Sequence, residues 1–239
     1  GLFSRVASVT FGPYVRFELG RSQVDTSDAK WHPPGSSDPT VFFSTDEGDY
    51  TSGAVAMGYD FQNGLRAEVA FIGTGTSGVT GSCSSASDSS SCSEHADITK
   101  ASVSTSALMG NVYYAPLEAR GSHSIFQPFI VAGLGVARNT TGEWTRYNAA
   151  SERPERTFEG ASSSGLAWSV GVGASVQLRK PGAWPIILEG SWRYYDYGTA
   201  KGGATALPEN GESSPITPLQ FDHTDQVLAV GLRIPLRRY

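Results

Sequence analysis

The stretch LAWSVGVGASVQL, Leu166 to Leu178, alternates without a break. Leu166, Trp168, Val170, Val172, Ala174, Val176 and Leu178 are apolar, whereas Ala167, Ser169, Gly171, Gly173, Ser175 and Gln177 are small or polar. Successive side chains of an extended chain point to opposite faces. A period of two held over 13 residues therefore specifies a β-strand with two chemically different faces. Arg179-Lys180-Pro181-Gly182 reads as a tight turn, with Pro and Gly supplying its dihedrals. The segment that follows, WPIILEGSWRYYDYG, puts Ile186, Leu188, Trp192 and Tyr194 on one face and Glu189, Ser191, Arg193 and Tyr195 on the other.

The same period recurs in both directions from this hairpin. Strands are expected at about residues 11–22, 50–61, 65–73, 101–115, 126–138, 165–178, 184–198 and 223–236. Between them lie four long polar connections, about 23–49, 74–100, 139–164 and 199–222, alternating with short ones. Gln62-Asn63-Gly64 carries the Asn-Gly hairpin signature. No helical period interrupts the series, so residues 1–239 read as one all-β domain of eight antiparallel strands.

Bulk composition narrows the function classes. A net charge of −5 and a pI near 5.4 argue against a nucleic-acid partner. There is no apolar run of 18 residues, hence no membrane-spanning helix. Cys83 and Cys92, within GSCSSASDSSSCSE, lack both CxxC spacing and further metal ligands and are expected to close a small disulfide loop. No metal site and no cofactor is expected.

Alternation alone does not say which face meets the surroundings, because sandwiches and ligand-binding barrels alternate too. The polar face decides it. A solvent-facing sheet carries Lys, Glu, Thr and Gln, but here that face is mostly Gly, Ala and Ser, which suits the narrow bore of a small closed barrel. The apolar face would then meet lipid, with Val170, Val172, Leu188, Trp192, Leu228 and Val230 facing outward. Trp168, Trp184, Trp192, Tyr194 and Tyr59 lie toward strand ends, as in an interfacial girdle. Arg16, Glu18, Arg66, Glu68, Glu189, Arg193 and Arg233 fall on the inner face, where ion pairing is required and would plug the lumen. The expected fold is an eight-stranded up-and-down transmembrane β-barrel. Short turns and both termini are expected on the periplasmic side, with four long loops outside the cell.

The segments LMGNVYYAP (Leu108 to Pro116), QPFIVAGLGVARN (Gln127 to Asn139), LEGSWRYYDYG (Leu188 to Gly198) and QVLAVGLRIPL (Gln226 to Leu236) carry a family resemblance. They resemble the small outer-membrane β-barrel superfamily of Gram-negative bacteria: OmpA transmembrane domains, OmpX, opacity proteins and other "porin family" barrels. The resemblance spans nearly all of the chain except its loops and implies the fold and an outer-membrane location. It implies no single activity, since members range from adhesins to membrane anchors. Within residues 1–239 no peptidoglycan-binding segment is read after the eighth strand, so an anchoring role is not the expectation. Tyr239 stands where the family usually has a terminal aromatic.

Some barrels of this size modify lipid A, a reaction that needs a set of catalytic groups. A serine acyl hydrolase needs Ser, His and an acidic residue within hydrogen-bond reach. Of His32, His95, His123 and His223, only His223, beside Asp222 and Asp225, has a suitable neighbourhood, and no HxS pattern accompanies it. Asp25, Asp28, Asp38, Asp46, Glu47 and Asp49 make the first loop acidic without a calcium-loop pattern, which reads as solvation. The loops, with Trp31, Phe42, Phe43, Trp144 and Tyr147 among Ser, Thr, Gly and Asp, suit surface contacts. The expectation is a non-enzymatic outer-membrane protein with a plugged lumen, structural or adhesin-like through its loops. A narrow passive channel is the alternative and a lipid A-modifying enzyme the third reading. Expected partners are outer-membrane lipid and lipopolysaccharide, and extracellular or neighbouring membrane proteins contacted through the loops.

Overall fold

The protein was analysed as a computed structural model, which describes residues 12–32, 39–47, 49–92, 98–147, 156–178, 184–203 and 217–237. Among these residues the strands in chain order are β1 (Gly12–His32), β2 (Val41–Glu47), β3 (Asp49–Asp60), β4 (Leu65–Thr74), β5 (Ser77–Ala86) and β6 (Ile98–Tyr114). They continue as β7 (Phe126–Thr141), β8 (Trp144–Tyr147), β9 (Arg156–Phe158), β10 (Ala161–Gln177), β11 (Ile187–Lys201) and β12 (Thr217–Pro235). Eight of them pair antiparallel in the order β12-β11-β10-β7-β6-β4-β3-β1. β1 then pairs with β12, from Tyr14 opposite Pro235 to Gln23 opposite Gln226 and beyond, and the sheet closes into a barrel.

The alternation sorts the two faces as expected. On β10, Ala167 and Ser169 are buried while Val170 and Val172 are exposed. The inner residues are small because the backbones behind them are close. A Cβ placed on Gly171 would sit 2.6 Å from the Trp192 carbonyl oxygen and 2.7 Å from Arg193 Cγ.

The outer face stays apolar over one band and then stops. Along successive strands Leu19 gives way to Arg21, Phe71 to Gly73, Leu108 to Ser106, Val136 to Arg138, Leu166 to Ser164 and Leu228 to Gln226. Aromatics mark both margins. Trp168 and Tyr194 pair at 5.5 Å near this line, and Tyr59 pairs with Phe61 at 5.0 Å near the opposite one. There Trp184 also donates its indole N–H to the Pro235 carbonyl, at 3.0 Å.

Three expectations need correction. The stretches read as long loops contain much regular structure: β1, β6, β7, β10, β11 and β12 continue past the band, and β2, β5, β8 and β9 add to them. The connection after β6 holds one short helix, α1 (Pro116–Ala119), started by a proline with no backbone N–H to leave unsatisfied. The loop aromatics are mostly not surface groups. Trp31, Phe43 and Trp144 join Val41, Phe158 and Phe221 in a second buried core beyond the band. Trp144 stacks on Phe158 at 4.2 Å, and the Arg146 guanidinium lies 4.3 Å from the Trp31 ring centre. Strands that outrun the apolar band must bury a face somewhere, and this core is where they do so. The Arg179–Gly182 turn and Tyr239 lie outside the described residues.

Candidate functional site

The barrel interior is filled in layers, and strand parity sets which residues occupy it. Nearest the short connections is a cavity of about 70 Å³, lined in part by Glu118, His123, Gln127, Gln177 and Arg233. Burial and then the neighbouring Asp60 carboxylate hold the Glu118 carboxyl above its ordinary range.

Beyond this cavity stand four guanidiniums and four carboxylates, a neutral set: Arg16, Arg66, Arg193 and Arg233 against Glu18, Asp60, Glu68 and Glu189. All seven charged residues assigned to the lumen are here. Asp60, at the end of β3, is an eighth that was not among the residues assigned to the lumen. Arg16 binds Glu68 through Nη2 at 2.8 Å and Nε at 3.1 Å, and also contacts Glu18. Glu18 receives Arg193 at 3.5 Å. Arg66 and Arg233 each reach Glu189 at 2.6 Å, and Arg233 also reaches Asp60 at 3.0 Å. Tyr113 joins the two halves: its hydroxyl accepts from Arg193 at 2.6 Å, and its ring lies 3.7 Å from the Arg66 guanidinium. In the ring of eight strands β4 and β11 are diametrically opposed, so the Arg66–Glu189 pair crosses the whole bore.

The next layer is a hydrogen-bond network around His223. Its Nδ1 lies 2.9 Å from Asn139 Oδ1 and 3.0 Å from Thr105 Oγ1, and its Nε2 lies 3.5 Å from the Tyr50 hydroxyl. Tyr50 donates to Asp225 at 2.9 Å. Thr105 on β6 faces His223 on β12 across the bore, so this layer is also a cross-brace. His223 is fully buried and its hydrogen-bond partners include no serine. Asp222, grouped with it by sequence, lies on the opposite face and accepts from Thr199 instead. The second core, with Trp31, Trp144 and Phe158, lies above this layer.

The remaining sequence-assigned residues fall as follows. Val170, Val172, Trp192, Leu228 and Val230 are exposed on the outer wall and Leu188 is half-buried there. Cys83 and Cys92 are joined, with their Cα atoms 5.6 Å apart. Among the acidic first-loop residues, Asp49 pairs with Arg21 and Asp28 is exposed; nothing is described of the side chains of Asp25, Asp38, Asp46 and Glu47. His95 lies outside the described residues, and among those described no group of three or more His, Cys, Asp or Glu is placed to hold a metal ion.

Solved structures with the same architecture were found. Neisserial surface protein A is 14% identical, with 94% of this chain and 97% of that one covered and a TM-score of 0.48. OprG of Pseudomonas aeruginosa is 16% identical over 96% and 99% of the two chains, TM-score 0.45. Ail, the attachment invasion locus protein of Yersinia pestis, solved with the heparin analogue sucrose octasulfate, is 10% identical over 93% and 99%, TM-score 0.40. No protein-family model matches the chain, and no curated protein matches it significantly.

Proposed function

We propose that this chain is an outer-membrane barrel whose bore is closed and whose working surface is the ordered β-structure beyond the apolar band. One observation carries the reading: the interior is spanned at successive levels by side chains bonded across it, while the outer wall is apolar over the height of a bilayer core. Leu166 to Val176 on β10 is eleven residues, the length a tilted strand needs to cross about 30 Å of hydrocarbon. Ring closure leaves no unpaired strand edge in lipid, which is the condition for any sheet to span a membrane. The short connections are placed in the periplasm and the β-extension outside the cell, following the loop asymmetry of such barrels.

The neutral ladder supports a plug over a selective pore. A conducting path would need the buried Arg66–Glu189 pair to part, at a cost of several kcal/mol. With the bore closed, the ordered end beyond the band is left to make contacts, and an adhesin-like or structural role without catalysis follows. The experiment is planar-bilayer recording on refolded protein whose barrel is verified by heat-modifiable migration on a gel. A silent bilayer is expected; stable unitary current steps would replace this reading with a narrow passive channel.

A further inference from the structure

We propose that the layer around His223 is a proton-binding centre: Asp225 holds a proton while the layer braces β12 against β6, and losing it loosens the brace. This rests on the closed bore proposed above. The charge count of the interior leads to it. In the ladder four cations meet four anions, whereas Asp225 is fully buried and makes no ion pair among the described residues. A buried carboxylate without a cation is costly, and an acid so placed keeps its proton instead. Asp225 and His223 lie past Gln226, where the outer face of β12 has already turned polar, so the site is beyond the apolar band.

The hydrogen bonds fit an uncharged pair. Asn139 donates Nδ2 to the Tyr197 carbonyl at 2.9 Å, which leaves its Oδ1 facing His223. That oxygen only accepts, so His223 Nδ1, 2.9 Å away, carries the ring proton. Nε2 is then the bare nitrogen of a neutral imidazole. The Tyr50 hydroxyl lies 3.5 Å from it, too far for the short bond that an imidazolium N–H would make. Tyr50 instead donates to Asp225 Oδ2 at 2.9 Å. Oδ1 completes no hydrogen bond, and neither does Ser22 Oγ beside the same carboxyl. A proton on Oδ1 supplies the donor that Ser22 Oγ can accept.

The groups facing the pair leave both members uncharged. β3 presents Tyr50 and β11 presents Tyr195 and Tyr197, with Glu18 of the ladder below adding only negative charge. β1, β6 and β7 present Ser22, Thr105 and Asn139, which do not ionise. The guanidiniums of Arg193 below and Arg146 above bond Tyr113 and Thr99. Burial accordingly raises the Asp225 carboxyl to about 7 and lowers the His223 imidazole to about 4. These shifts act on stability with opposite signs. From about pH 4 to 7 an unfolded Asp225 has lost the proton that the folded one keeps, so rising pH weakens folding. From about pH 4 to 6.5 an unfolded His223 holds a proton that the folded one lacks, so rising pH strengthens folding. In the parent chain the two trends offset.

Infrared spectroscopy of the whole chain in detergent micelles, with isotope-labelled aspartate, reads the acid directly. One protonated aspartate should persist at mildly acidic pH and ionise with a midpoint of about 7, and Asp225→Asn should remove it. Backbone amide exchange around Thr105 and His223, corrected for intrinsic rates, should accelerate through the same midpoint in the parent chain and not in Asp225→Asn. Urea unfolding supplies the signs. Relative to the parent, the folding constant of Asp225→Asn should rise about tenfold or more between about pH 4.5 and 6.5, and that of His223→Gln should fall as much. A merely structural pair would shift each by a constant factor. No aspartate ionising near neutrality in the parent, exchange indifferent to that midpoint, or slopes of the same sign overturns the proposal. Each sample is first checked for heat-modifiable migration, and where a variant forms no barrel the infrared and exchange titrations of the parent decide. The bilayer recording tests the closed bore separately, so the two readings fail on different measurements.

Discussion

Adjacent residues on one strand meet opposite constraints. Val172 points outward and is 53% exposed, so a lysine there would put a charge near the middle of the hydrocarbon, a cost of about 2–4 kcal/mol. Val172→Lys should lower the fraction folded into vesicles, read as the heat-modifiable gel band, and unimpaired folding would reverse the assignment of faces. Gly171→Val should fail for the other reason, since its first added carbon already lies within 2.7 Å of Arg193 Cγ. Detergent micelles should not rescue it. Inside the bore, Glu189 holds two guanidiniums, whereas Asp60 holds one that Glu189 also holds. Glu189→Gln should therefore cost about 3–5 kcal/mol in urea unfolding. Asp60→Asn should cost clearly less, and equal losses would mean that the ladder does not share its charges as drawn.

At the scale of elements, the eight barrel strands were legible because each has one face that must be apolar and one that must be small. That contrast ends with the band. In β2, VFFSTDE, and β5, SGVTGSCSSA, both faces are polar or mixed, and the short β8 and β9 offer too few residues to establish a period. Their core was announced only by isolated aromatic residues such as Trp31, Phe43 and Trp144, which read equally well as surface contacts. The His223 layer had a usable signal: on β12 the inner parity of Val227 and Ala229 runs back through Asp225, His223 and Phe221. Which partners those groups meet across the bore depends on barrel stagger, which no single strand encodes. The second core should have a stability of its own. Trp144→Ala removes a fully buried side chain and should cost the extension about 3–5 kcal/mol. Limited trypsin digestion would then trim the extension while the barrel keeps its heat-modifiable band. Reducing Cys83–Cys92, which closes a loop with sequence separation 9, should loosen the same end by about 2–3 kcal/mol at most and leave the barrel band intact.

For the molecule as a whole, the proposed plug has three layers in series, an ion-pair ladder within the band, the His223 cross-brace and an aromatic core beyond it. Series closures conduct only when all are breached. Removing one partner of the ladder would strand a buried charge, so the informative variant removes the pair that crosses the bore: Arg66→Ala with Glu189→Ala takes out one cation and one anion and leaves Arg233 with Asp60. On its own this double variant should fold and stay silent in planar bilayers, because Trp31, Trp144 and Phe158 still fill the far end. Trp144→Ala alone should also be silent, because the ladder is intact. Adding His223→Ala to the combination should give current steps, with mild cation–anion selectivity because the remaining charges balance. Steps from the ladder variant alone would show that neither the His223 layer nor the aromatic core seals the bore, and silence with all three layers opened would show that the bore is closed elsewhere.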